Sequence, residues 1–344
     1  MRSGVTRHCA SLIGEMELLR VDPRQPDPGT IARAADVIRR GGLVAFPTET
    51  VYGLGAHALD PAAVERIYEA KGRPSYNPII VHVANAEQAH DVVLEWNDTA
   101  DELARAFWPG PMTLVLPKRA NVPDNVTAGL PTVGVRVPAH PVAHALLAAA
   151  GVPIAAPSAN KSMQLSPTMA AHVVASLGDA VDIVLDGGPT WVGIESTVVD
   201  VSGDRPVVLR PGTISLEQIE AVAGAAVTLG GAAPGDAPRP SPGMLDRHYA
   251  PRARLVLADA ADVGIRVELE RTHGHRAGAV VISAPVEPSP TTVTMPNDPA
   301  EYAARLYATL HALDDAGCDV VVVERVPESG LWLGVRDRLE RAAR

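Results

Sequence analysis

The run from residue 230 to 244, GGAAPGDAPRPSPGM, divides the chain into two folding units. Glycine, proline and alanine dominate it, and its last residue is its one large apolar residue. Such a run cannot form a core, and its prolines interrupt both helices and sheets. It therefore predicts a linker. The 344 residues are enough for a domain of ordinary size on each side.

The first unit alternates amphipathic helical patterns with short apolar runs. TIARAADVIRRGG and DPAAVERIYEAKG have a helical period and a glycine stop, and Asp-Pro marks the start of the second. PIIVHV, MTLVLP, TVGVRVP and DIVLDGG are rich in β-branched residues, as strands are. Because these elements interleave without strict βαβ alternation, they predict an α/β domain with a twisted, mixed sheet.

The second unit has strands of a different type. ARLVLA, GAVVIS and DVVVVERV are apolar at nearly every position, as in a parallel sheet that is covered on both faces. YAARLYATLHALDDAG predicts a long helix, so we expect a small three-layer, Rossmann-like α/β domain. The predicted organisation is an N-terminal extension (1–25), a larger α/β domain (26–222), a linker that acts as a lid (223–250) and a C-terminal α/β domain (251–344).

Composition excludes several classes of protein. The net charge of −10 argues against a protein that wraps nucleic acid, which needs a surplus of Lys and Arg. Cys9 and Cys318 are far apart and offer no zinc spacing, which is typical of the reducing cytosol. No apolar run approaches the roughly 18 residues of a membrane helix, and the N-terminus lacks the apolar segment of a secretion signal. We expect a cytoplasmic protein without membrane attachment.

The common nucleotide motifs give little support to a nucleotide fold of a standard type. GxxxxGK[ST] is absent, which excludes a P-loop. One GxGxxA match begins at Gly53, but PTETVY separates it from the preceding apolar run. A dinucleotide fold needs these glycines directly at the end of a strand, so we do not expect a dinucleotide site here.

Polar residues interrupt or follow several predicted elements of the first unit. His82 interrupts PIIVHV, and a lone strand histidine is more often a hydrogen-bonded core residue than a ligand-binding one. Ser166 precedes PTMAAHVV and is most simply an N-cap, although a helix N-terminus also binds anions. Lys71 and Arg73 follow a helix, where they either offset the helix dipole or bind a ligand.

Arg136 has the fewest structural alternatives. It lies between valines in VGVRVP, and a buried arginine needs an anionic partner. Several other cations stand among small hydroxyl residues on predicted loops, without an obvious acid–base pair. This set is typical of an enzyme that binds a polyphosphate and a small carboxylate and acts by positioning and charge stabilisation.

Seven collinear motifs carry a resemblance to a known family. They are FPTETVYGLGAHA, KGRPSYNPIIVHV, WPGPMTLVLP, VGVRVPAHP, PIAAPSANKS, IESTVVD and VLRPG. The chain resembles the YrdC-like family over about residues 29–222, and the K-x-R and S-x-N signatures of that family stand at 71–73 and 158–160. SPGMLDRHYAP and the second unit resemble the long, two-domain form. One departure is Met163, close to where the family commonly has a glycine.

This resemblance implies a fold and an activity. The fold is a YrdC-like domain with a twisted mixed sheet and a concave cleft. The activity is that of a nucleotidyltransferase that forms L-threonylcarbamoyl-AMP and pyrophosphate from L-threonine, bicarbonate or CO2, and ATP with Mg2+. This is the first step of threonylcarbamoyladenosine modification of ANN-decoding tRNAs, and a separate tRNA threonylcarbamoyl transferase complex receives the product. The acidic net charge suits a protein that does not grip tRNA itself.

The resemblance also implies roles for individual residues. Lys71 and Arg73 would be catalytic, because they would neutralise charge on the phosphoryl oxygens. Arg136 would bind the threonine carboxylate, the buried anion that its position requires, and Tyr249 would close the linker over ATP as a lid. The full assignments are Arg73, Asn77, Thr132, Ser158, Asn160, Ser166, Arg210 and Tyr249 for ATP, and Thr50, His82, Arg136, Ala156 and Ser196 for threonine.

Two other interpretations stay open at this point. A concave YrdC-like cleft also suits double-stranded RNA binding, although the negative charge and the 3% of aromatic residues argue against it. A carbamoyl-transfer maturation factor of hydrogenases uses a related domain, but the zinc-finger cysteines expected of it are missing from the sequence. The C-terminal unit offers no reactive constellation, and we expect it to help close the linker or to bind partners.

Overall fold

The computed structural model describes residues 16–230 and 249–344 and places their strands in two sheets. The first part contains β1 (Glu17–Arg20), α1 (Pro28–Arg39), β2 (Val44–Pro47), β3 (Tyr52–His57), α2 (Pro61–Lys71), β4 (Val81–His82), α3 (Ala86–Ala89), α4 (Asp98–Phe107), β5 (Met112–Pro117), α5 (Asp124–Thr127), β6 (Thr132–Arg136), α6 (Pro141–Ala150), β7 (Ile154–Ala155), α7 (Ala170–Leu177), β8 (Ile183–Asp186), β9 (Thr197–Asp200), β10 (Val207–Arg210), α8 (Leu216–Ala223) and β11 (Thr228–Leu229). The second part contains β12 (Arg254–Ala258), α9 (Val263–Thr272), β13 (Ala277–Val281), β14 (Thr292–Thr294), α10 (Pro299–Asp315), β15 (Val320–Glu324) and α11 (Leu333–Ala342).

The first sheet has 11 strands in the order β1-β8-β2-β3-β7-β4-β6-β5-β9-β10-β11. Parallel pairs such as β4–β6 and antiparallel pairs such as β5–β6 both occur, which confirms the predicted mixed sheet. β1 lies in the range predicted as an extension, yet it pairs in parallel with β8. β11 lies in the range predicted as a linker and pairs in parallel with β10. Both ranges therefore contribute edge strands to the first sheet.

β3, which carries the GxGxxA match, was not predicted from the sequence. β3 pairs antiparallel with β2 to form a hairpin, so Gly53 and Gly55 lie inside a strand rather than in a strand-to-helix turn. Gly55 is needed for close packing, because a Cβ there would lie 2.7 Å from the ring of Phe46 and 2.8 Å from Ile154 Cγ2. The glycines therefore serve sheet packing and form no dinucleotide loop.

The two faces of the first sheet are chemically different around β4 and β6. Val81 and Val135 point to the face that packs with α2 and α4 in the main apolar core. Their neighbours His82 and Arg136 point to the opposite face, since successive strand residues alternate. That opposite face is apolar near β2 and β8, where α1 and α6 pack on it, and polar over β4 and β6. Binary patterning thus places the polar residues together on one surface.

Start and stop signals in the sequence set the two ends of α2, which leads to Lys71 and Arg73. Asp60 caps α2 and Pro61 occupies its first turn, as the sequence predicts. Gly72 ends the helix in the left-handed conformation, with a φ of 58°, which glycine adopts at little cost. Lys71 is therefore the last residue of the helix, whereas Arg73 belongs to the following loop.

The second sheet is parallel throughout, in the order β12-β15-β13-β14. α9 packs on one face, and α10 and α11 pack on the other, which confirms the predicted three layers. α10 was predicted from the sequence, whereas α9, α11 and the short β14 were not. Across the described ranges, no helix has both the length and the apolar character needed to cross a membrane.

The two parts share apolar packing and approach each other closely. Val51, Leu165 and Ile194 of the first part belong to the same buried cluster as the inner faces of α10 and α11. At Gly193 an added Cβ would lie 2.3 Å from the carbonyl oxygen of Ala303, so the second part rests directly on this backbone. The loop around residues 193–196 is therefore in contact with both parts of the chain.

Candidate active site

A cavity opens on the polar face of the first sheet. About 530 Å³ of space lies between its walls, a figure that includes open solvent at its mouth. Predicted site residues that line it are Thr50, Arg73, His82, Arg136, Ala156, Ser158, Ser196, Arg210 and Tyr249. Thr48, Val51, Gly53, Ile80, Pro157 and Glu195 also line it, although the sequence analysis gave them no role. The fold therefore brings residues of both predicted sets into one place.

Arg136 ends β6 and is anchored on three sides. Its Nη2 lies 2.7 Å from Glu49 Oε1 in a buried ion pair, and it also donates to Thr50 Oγ1 at 3.0 Å. Its Nε donates to the carbonyl of Gly110 at 3.1 Å. Glu49 therefore already supplies an anionic partner for this buried arginine, the partner that the sequence prediction assigned to the threonine carboxylate. A role for Arg136 in threonine binding stays a prediction.

Thr50 lies in a tight polar turn between β2 and β3. Its hydroxyl is 2.8 Å from that of Thr48, which in turn donates to the carbonyl of Val51 at 2.6 Å. Both threonine side chains are buried. Because Thr50 Oγ1 also accepts from Arg136, the turn holds the guanidinium in a fixed orientation at the cavity wall.

His82 ends β4 beside Arg136, its register partner on β6. Burial and the neighbouring Arg136 charge lower the pKa of His82 to about 3, so its imidazole is neutral at physiological pH. Within the described part of the chain, its buried Nδ1 has no hydrogen-bond partner. A neutral ring with an unused nitrogen suits hydrogen bonding to an uncharged group of a ligand.

Lys71 lies behind the cavity wall and is 2% exposed. Its ammonium donates to the carbonyl oxygens of Ser158 and Asn160, the two ends of the S-x-N motif. Burial first, and then the nearby Arg73 charge, lower its pKa well below the usual value. The K-x-R and S-x-N signatures therefore meet through this lysine, which ties the end of α2 to the loop after β7.

Arg73 reaches the cavity from the loop after α2. Its Nε donates to the carbonyl of Asn77 at 3.1 Å, and its Nη2 donates to the carbonyl of Pro78 at 2.7 Å. Burial lowers its pKa to about 10, so it keeps its charge near neutral pH. Neutral carbonyls hold the guanidinium in place without cancelling its charge, which leaves a positive potential in the cavity.

Three predicted ATP residues, Asn77, Asn160 and Ser166, are not among the described residues that line the cavity. Asn77 is fully buried, and in the described ranges neither its Oδ1 nor its Nδ2 has a hydrogen-bond partner. Asn160 Nδ2 donates to the carbonyls of Lys161 and Gln164, both at 2.9 Å. These amides shape the loops around the cavity, and Asn77 keeps its full hydrogen-bonding capacity.

Ser166 does not cap a helix, so that prediction is wrong. α7 begins four residues later at Ala170, with Met169 in the cap position. The Ser166 hydroxyl instead donates to Glu195 Oε1. Its backbone carbonyl accepts from His311 Nε2 of α10 at 3.2 Å, so Ser166 joins the site to the second part of the chain.

Thr132 lies outside the main cavity. It lines a smaller, adjoining cavity that shares Ile80 with the main one and is otherwise bounded by residues such as Thr113 and Gly134. The two cavities lie on the same face of the sheet. A ligand that extends past Ile80 would reach Thr132, so the predicted contact of Thr132 with ATP stays a prediction.

Ser196, directly before β9, and Arg210, at the end of β10, are hydrogen-bonded to each other, although they were predicted to bind different substrates. Arg210 Nε donates to the Ser196 carbonyl and its Nη2 to the Ser196 hydroxyl, both at 3.1 Å. The same hydroxyl lies 2.8 Å from Thr113 Oγ1. Any substrate that binds one of these two residues is therefore close to the other.

Glu195 is the main residue of the cavity that the sequence analysis missed. Its Oε2 accepts from Arg338 Nε of α11 at 2.7 Å and from the hydroxyl of Tyr307 of α10 at 3.1 Å. Burial alone would raise its pKa, but the charges of Arg338 and Arg210 outweigh burial and hold the pKa below its usual value. Its place beside Ser196 was the one sequence signal. Arg338, a single arginine in a helix that was not predicted, gave no signal that it would contact Glu195.

Tyr249 closes one side of the cavity and belongs to the predicted lid. It is buried and adopts a φ of 60°, and the Arg338 guanidinium lies 5.0 Å from its ring centroid. The next residue, Ala250, donates its N–H to the carbonyl of Met163 at 3.1 Å. Met163 itself has a φ of 71°, a conformation that favours glycine. The rest of the predicted lid, residues 231–248, lies outside the described residues.

The chemistry of this donor set favours anions. Arginine side chains, hydroxyls and backbone groups converge on the cavity, and one carboxylate, Glu195, stands among its described lining residues. Among residues 16–230 and 249–344, no group of three or more His, Cys, Asp or Glu side chains could hold a metal ion. A cation that enters with a polyphosphate keeps its phosphate ligands and needs few protein ligands.

Comparison with known proteins places this chain in a family. A family profile described as "Telomere recombination", for the Sua5/YciO/YrdC group, matches residues 36–212. A second profile, described as the C-terminal domain of threonylcarbamoyl-AMP synthase, matches residues 214–344. The chain belongs to the Sua5/YciO/YrdC family. The resemblance carried by its motifs is therefore confirmed, including the two-domain form.

Curated relatives of this family cover nearly the whole chain. The threonylcarbamoyl-AMP synthase of Pyrococcus abyssi is 44% identical over 318 residues, which cover 90% of this chain and 93% of the relative. The protein of the same name from Bacillus subtilis is 43% identical and covers 91% of this chain and 92% of its own length. A match of this extent includes both domains and the segment between them.

Solved structures of family members agree with the fold. The crystal structure of P. abyssi Sua5 complexed with L-threonine superimposes with a TM-score of 0.89 at 41% identity, covering 96% of this chain and 98% of that one. The Escherichia coli YciO structure covers 58% of this chain at 26% identity, with a TM-score of 0.50. The full-length likeness confirms the α/β fold class for both parts of the chain.

Proposed function

We propose that this protein synthesises L-threonylcarbamoyl-AMP and pyrophosphate from L-threonine, bicarbonate or CO2, and ATP. The observation that carries the proposal is the cavity itself, where Arg73 and Arg210 stand near a neutral His82 and an anchored Arg136. Charged groups for a polyphosphate and hydrogen-bonding groups for a small amino acid therefore line one space. The name shared by its full-length relatives supports this function over RNA binding or carbamoyl transfer to another protein.

The proposed threonine subsite is the end of the cavity around β4 and β6. The Arg136 guanidinium, shared with Glu49, binds the threonine carboxylate. Thr50 and the neutral His82 form hydrogen bonds to the amine and the hydroxyl, and Ser196 and Ala156 complete the wall. A site that hydrogen-bonds a substrate hydroxyl discriminates strongly against analogues that lack it.

The proposed reaction has two steps. The amine of threonine adds to CO2, or to bicarbonate with loss of water, and gives a carbamate. A carbamate oxygen then attacks the α-phosphorus of ATP, the bond from that phosphorus to the bridging oxygen breaks, and pyrophosphate leaves with its electron pair. Negative charge grows on the phosphoryl oxygens and on the leaving group, so fixed positive charges stabilise the transition state.

The proposed nucleotide subsite supplies those charges. Arg73 and Arg210 line the cavity and are held by carbonyl and hydroxyl partners, so they are oriented before ATP arrives. Lys71 acts behind them by fixing the Ser158 and Asn160 loop, and an arriving phosphate would favour its protonated form. Mg2+ would enter with ATP and offset charge on the phosphates.

Two steps beyond the chemistry complete the proposal. Tyr249, which lines the cavity, excludes water from the adenylate, which is otherwise hydrolysed readily. The threonylcarbamoyl group then passes to a tRNA adenosine through a separate transferase complex. The negative net charge suits a protein that hands over a small activated intermediate.

The test is pyrophosphate release by the purified protein with ATP, Mg2+, bicarbonate and an amino acid. We expect release that requires both L-threonine and bicarbonate and that is much slower with L-serine. Arg73→Ala should lower it by about 100- to 1000-fold, while Arg105→Ala, which removes an exposed arginine far along α4, should leave it unchanged. A folded protein that binds ATP but shows no threonine-dependent release would contradict the proposed function.

A further inference from the structure

A buried carboxylate stands in the wall of the proposed nucleotide subsite. Glu195 lines the cavity directly before Ser196 and is 6% exposed. It is close enough to Arg210 for the arginine charge to lower the Glu195 pKa. An uncompensated negative charge at this place would repel a polyphosphate and weaken Arg210 as a phosphate ligand.

The charge that compensates Glu195 comes from the second domain. Arg338 of α11 is 1% exposed and lies at the centre of a set of contacts. Its Nε donates to Glu195 Oε2 at 2.7 Å, and its Nη1 donates to the carbonyl of Pro211, next to Arg210, at 2.9 Å. Its guanidinium also lies over the ring of Tyr249 at 5.0 Å. One side chain of the C-terminal domain thus contacts two lining residues of the cavity, Glu195 and Tyr249, and the residue that follows Arg210, while its Nη1 also pairs with Asp337 at 2.7 Å.

The site of contact between the domains supports a fixed geometry. Gly334, one turn before Arg338 on α11, packs so closely that an added Cβ would lie 2.3 Å from the carbonyl oxygen of Gly212. Tyr307 of α10 adds a second donor to Glu195 at 3.1 Å. The guanidinium therefore reaches Glu195 when α11 is docked against the segment that follows β10.

We propose that Arg338 is a positioning residue for ATP binding, which neutralises Glu195 and so lets the cavity accept a polyphosphate only when the C-terminal domain is docked. This inference rests on the proposed function for the identity of the nucleotide. It gives the C-terminal domain a defined task, the electrostatic completion of a site whose lining belongs almost wholly to the first domain. A purely structural anchor would instead hold the domains together without selecting for ligand charge.

The test compares ATP with adenosine in direct binding measurements by titration calorimetry, without threonine or bicarbonate. Arg338→Met should weaken ATP binding on the order of 10- to 100-fold and change adenosine binding little, because adenosine carries no charge. The double variant Glu195→Gln/Arg338→Met, which removes both charges, should restore ATP binding to within a few-fold of the wild type. Arg325→Met, which removes an exposed arginine of the same domain, is the matched control.

Several outcomes would overturn the inference. Arg338→Met could bind ATP as the wild type does, or could lose ATP and adenosine equally. The double variant could also bind ATP as weakly as Arg338→Met does, which is expected if Arg338 only holds the two domains together. If Arg338→Met does not fold, the foldable double variant decides the question alone, since near-normal ATP binding supports charge compensation and lost ATP binding contradicts it. A wild type that binds ATP without threonine-dependent release would refute the proposed function and leave this test valid.

Discussion

The two α/β domains use the ends of their strands in different ways. In the first domain, β4 and β6 end in His82 and Arg136, whose side chains face the cavity. In the second, β15 ends in Glu324, whose carboxylate accepts from the backbone N–H groups of Ile282, Ser283 and Ala284 at 2.6, 2.9 and 2.9 Å. Ligands of α/β folds bind at the carboxyl ends of parallel strands, often on such backbone donors.

In the second domain, therefore, the chain supplies its own anion at the place where a ligand would bind. Ser283 adds a hydroxyl donor to Glu324 at 2.8 Å, so the carboxylate satisfies four donors in all with the three N–H groups. Burial opposes the charge, but the hydrogen bonds from Ser283 and Ala284 hold the pKa of Glu324 below its usual value. The carboxyl ends of the strands thus line a cavity in the first domain and form a structural contact in the second. The difference is that in the second domain the backbone N–H groups already donate to a carboxylate of the protein.

The largest expected effect is on activity, after a substitution in the cavity of the first domain. Arg73→Ala should lower threonine-dependent pyrophosphate release by about 100- to 1000-fold, because it removes a preorganised charge from the phosphoryl transition state. The melting temperature should change little, since Arg73 makes its hydrogen bonds to loop carbonyls. Steady-state kinetics and thermal unfolding of the same preparation check both statements, and a large loss of stability would show that Arg73 is mainly structural.

Substitution of Glu324 in the second domain should lower stability and leave activity nearly unchanged. Glu324→Ala leaves buried backbone donors without an acceptor, and we expect it to lower the free energy of unfolding by about 2–3 kcal/mol. Glu324→Gln keeps one acceptor oxygen and should cost less. Urea unfolding measures the stability, and kcat at low temperature, where the variant is folded, should stay near the wild-type value. A specific rise in KM for ATP would instead indicate that the second domain binds nucleotide.

Sequence patterns predicted which residues lie at the first domain's site better than they predicted how its charged groups are paired. Arg136 required a buried anion, but nothing in the sequence identified Glu49, because the turn that carries Glu49 reaches β6 only after the sheet closes. Gly53 and Gly55 hid β3, since glycine lowers strand propensity while allowing close packing. Local patterns report burial and period, whereas ion pairs between distant elements depend on the complete fold.

The second domain shows the same limit more strongly. Its parallel sheet and α10 followed from the apolar runs, and the structure confirms both. Arg338 gave no local signal, because one arginine in an amphipathic helix is usually solvent-exposed. Its 1% exposure comes from docking against residues more than 100 positions earlier in the chain. The expectation that this domain helps to close the linker or binds partners therefore did not include the contact of Arg338 with Glu195.

A smaller effect should separate the two ends of the first domain's cavity. Thr50→Val keeps the shape of the side chain but removes one of the two partners of Arg136 Nη2 and leaves Glu49 as the other. We expect KM for threonine to rise about 10-fold, which corresponds to one lost hydrogen bond to a charged group, while KM for ATP stays within two-fold (roughly) of its original value. Initial-rate kinetics with each substrate varied in turn measure the difference. An equal rise in both KM values would mean that the turn supports the whole cavity.

The smallest expected effect concerns the contact between the domains and depends on pH. His172 of α7 and His311 of α10 stack with ring centroids 3.8 Å apart. Burial lowers the pKa of His172 to about 4 and also lowers the pKa of His311 below its ordinary value, so at pH 7.5 both rings are neutral in the docked state. Asp314, Asp315 and Arg252 are the charged groups that act on this pair.

Because the folded pKa of His172 lies below the ordinary value of 6.5, the unfolded chain binds more protons between pH 6.5 and about 4. The stability that the neutral pair contributes is therefore fully present above pH 6.5 and is lost as the pH falls toward 4. His172→Phe keeps an aromatic ring against His311 but cannot be protonated, so its melting temperature should fall by a few degrees less than that of the wild type between pH 7.5 and pH 5. Differential scanning calorimetry at the two pH values measures this. Identical pH dependence in both proteins would place the acid sensitivity elsewhere, and the two domains would then be joined at a contact that pH does not alter.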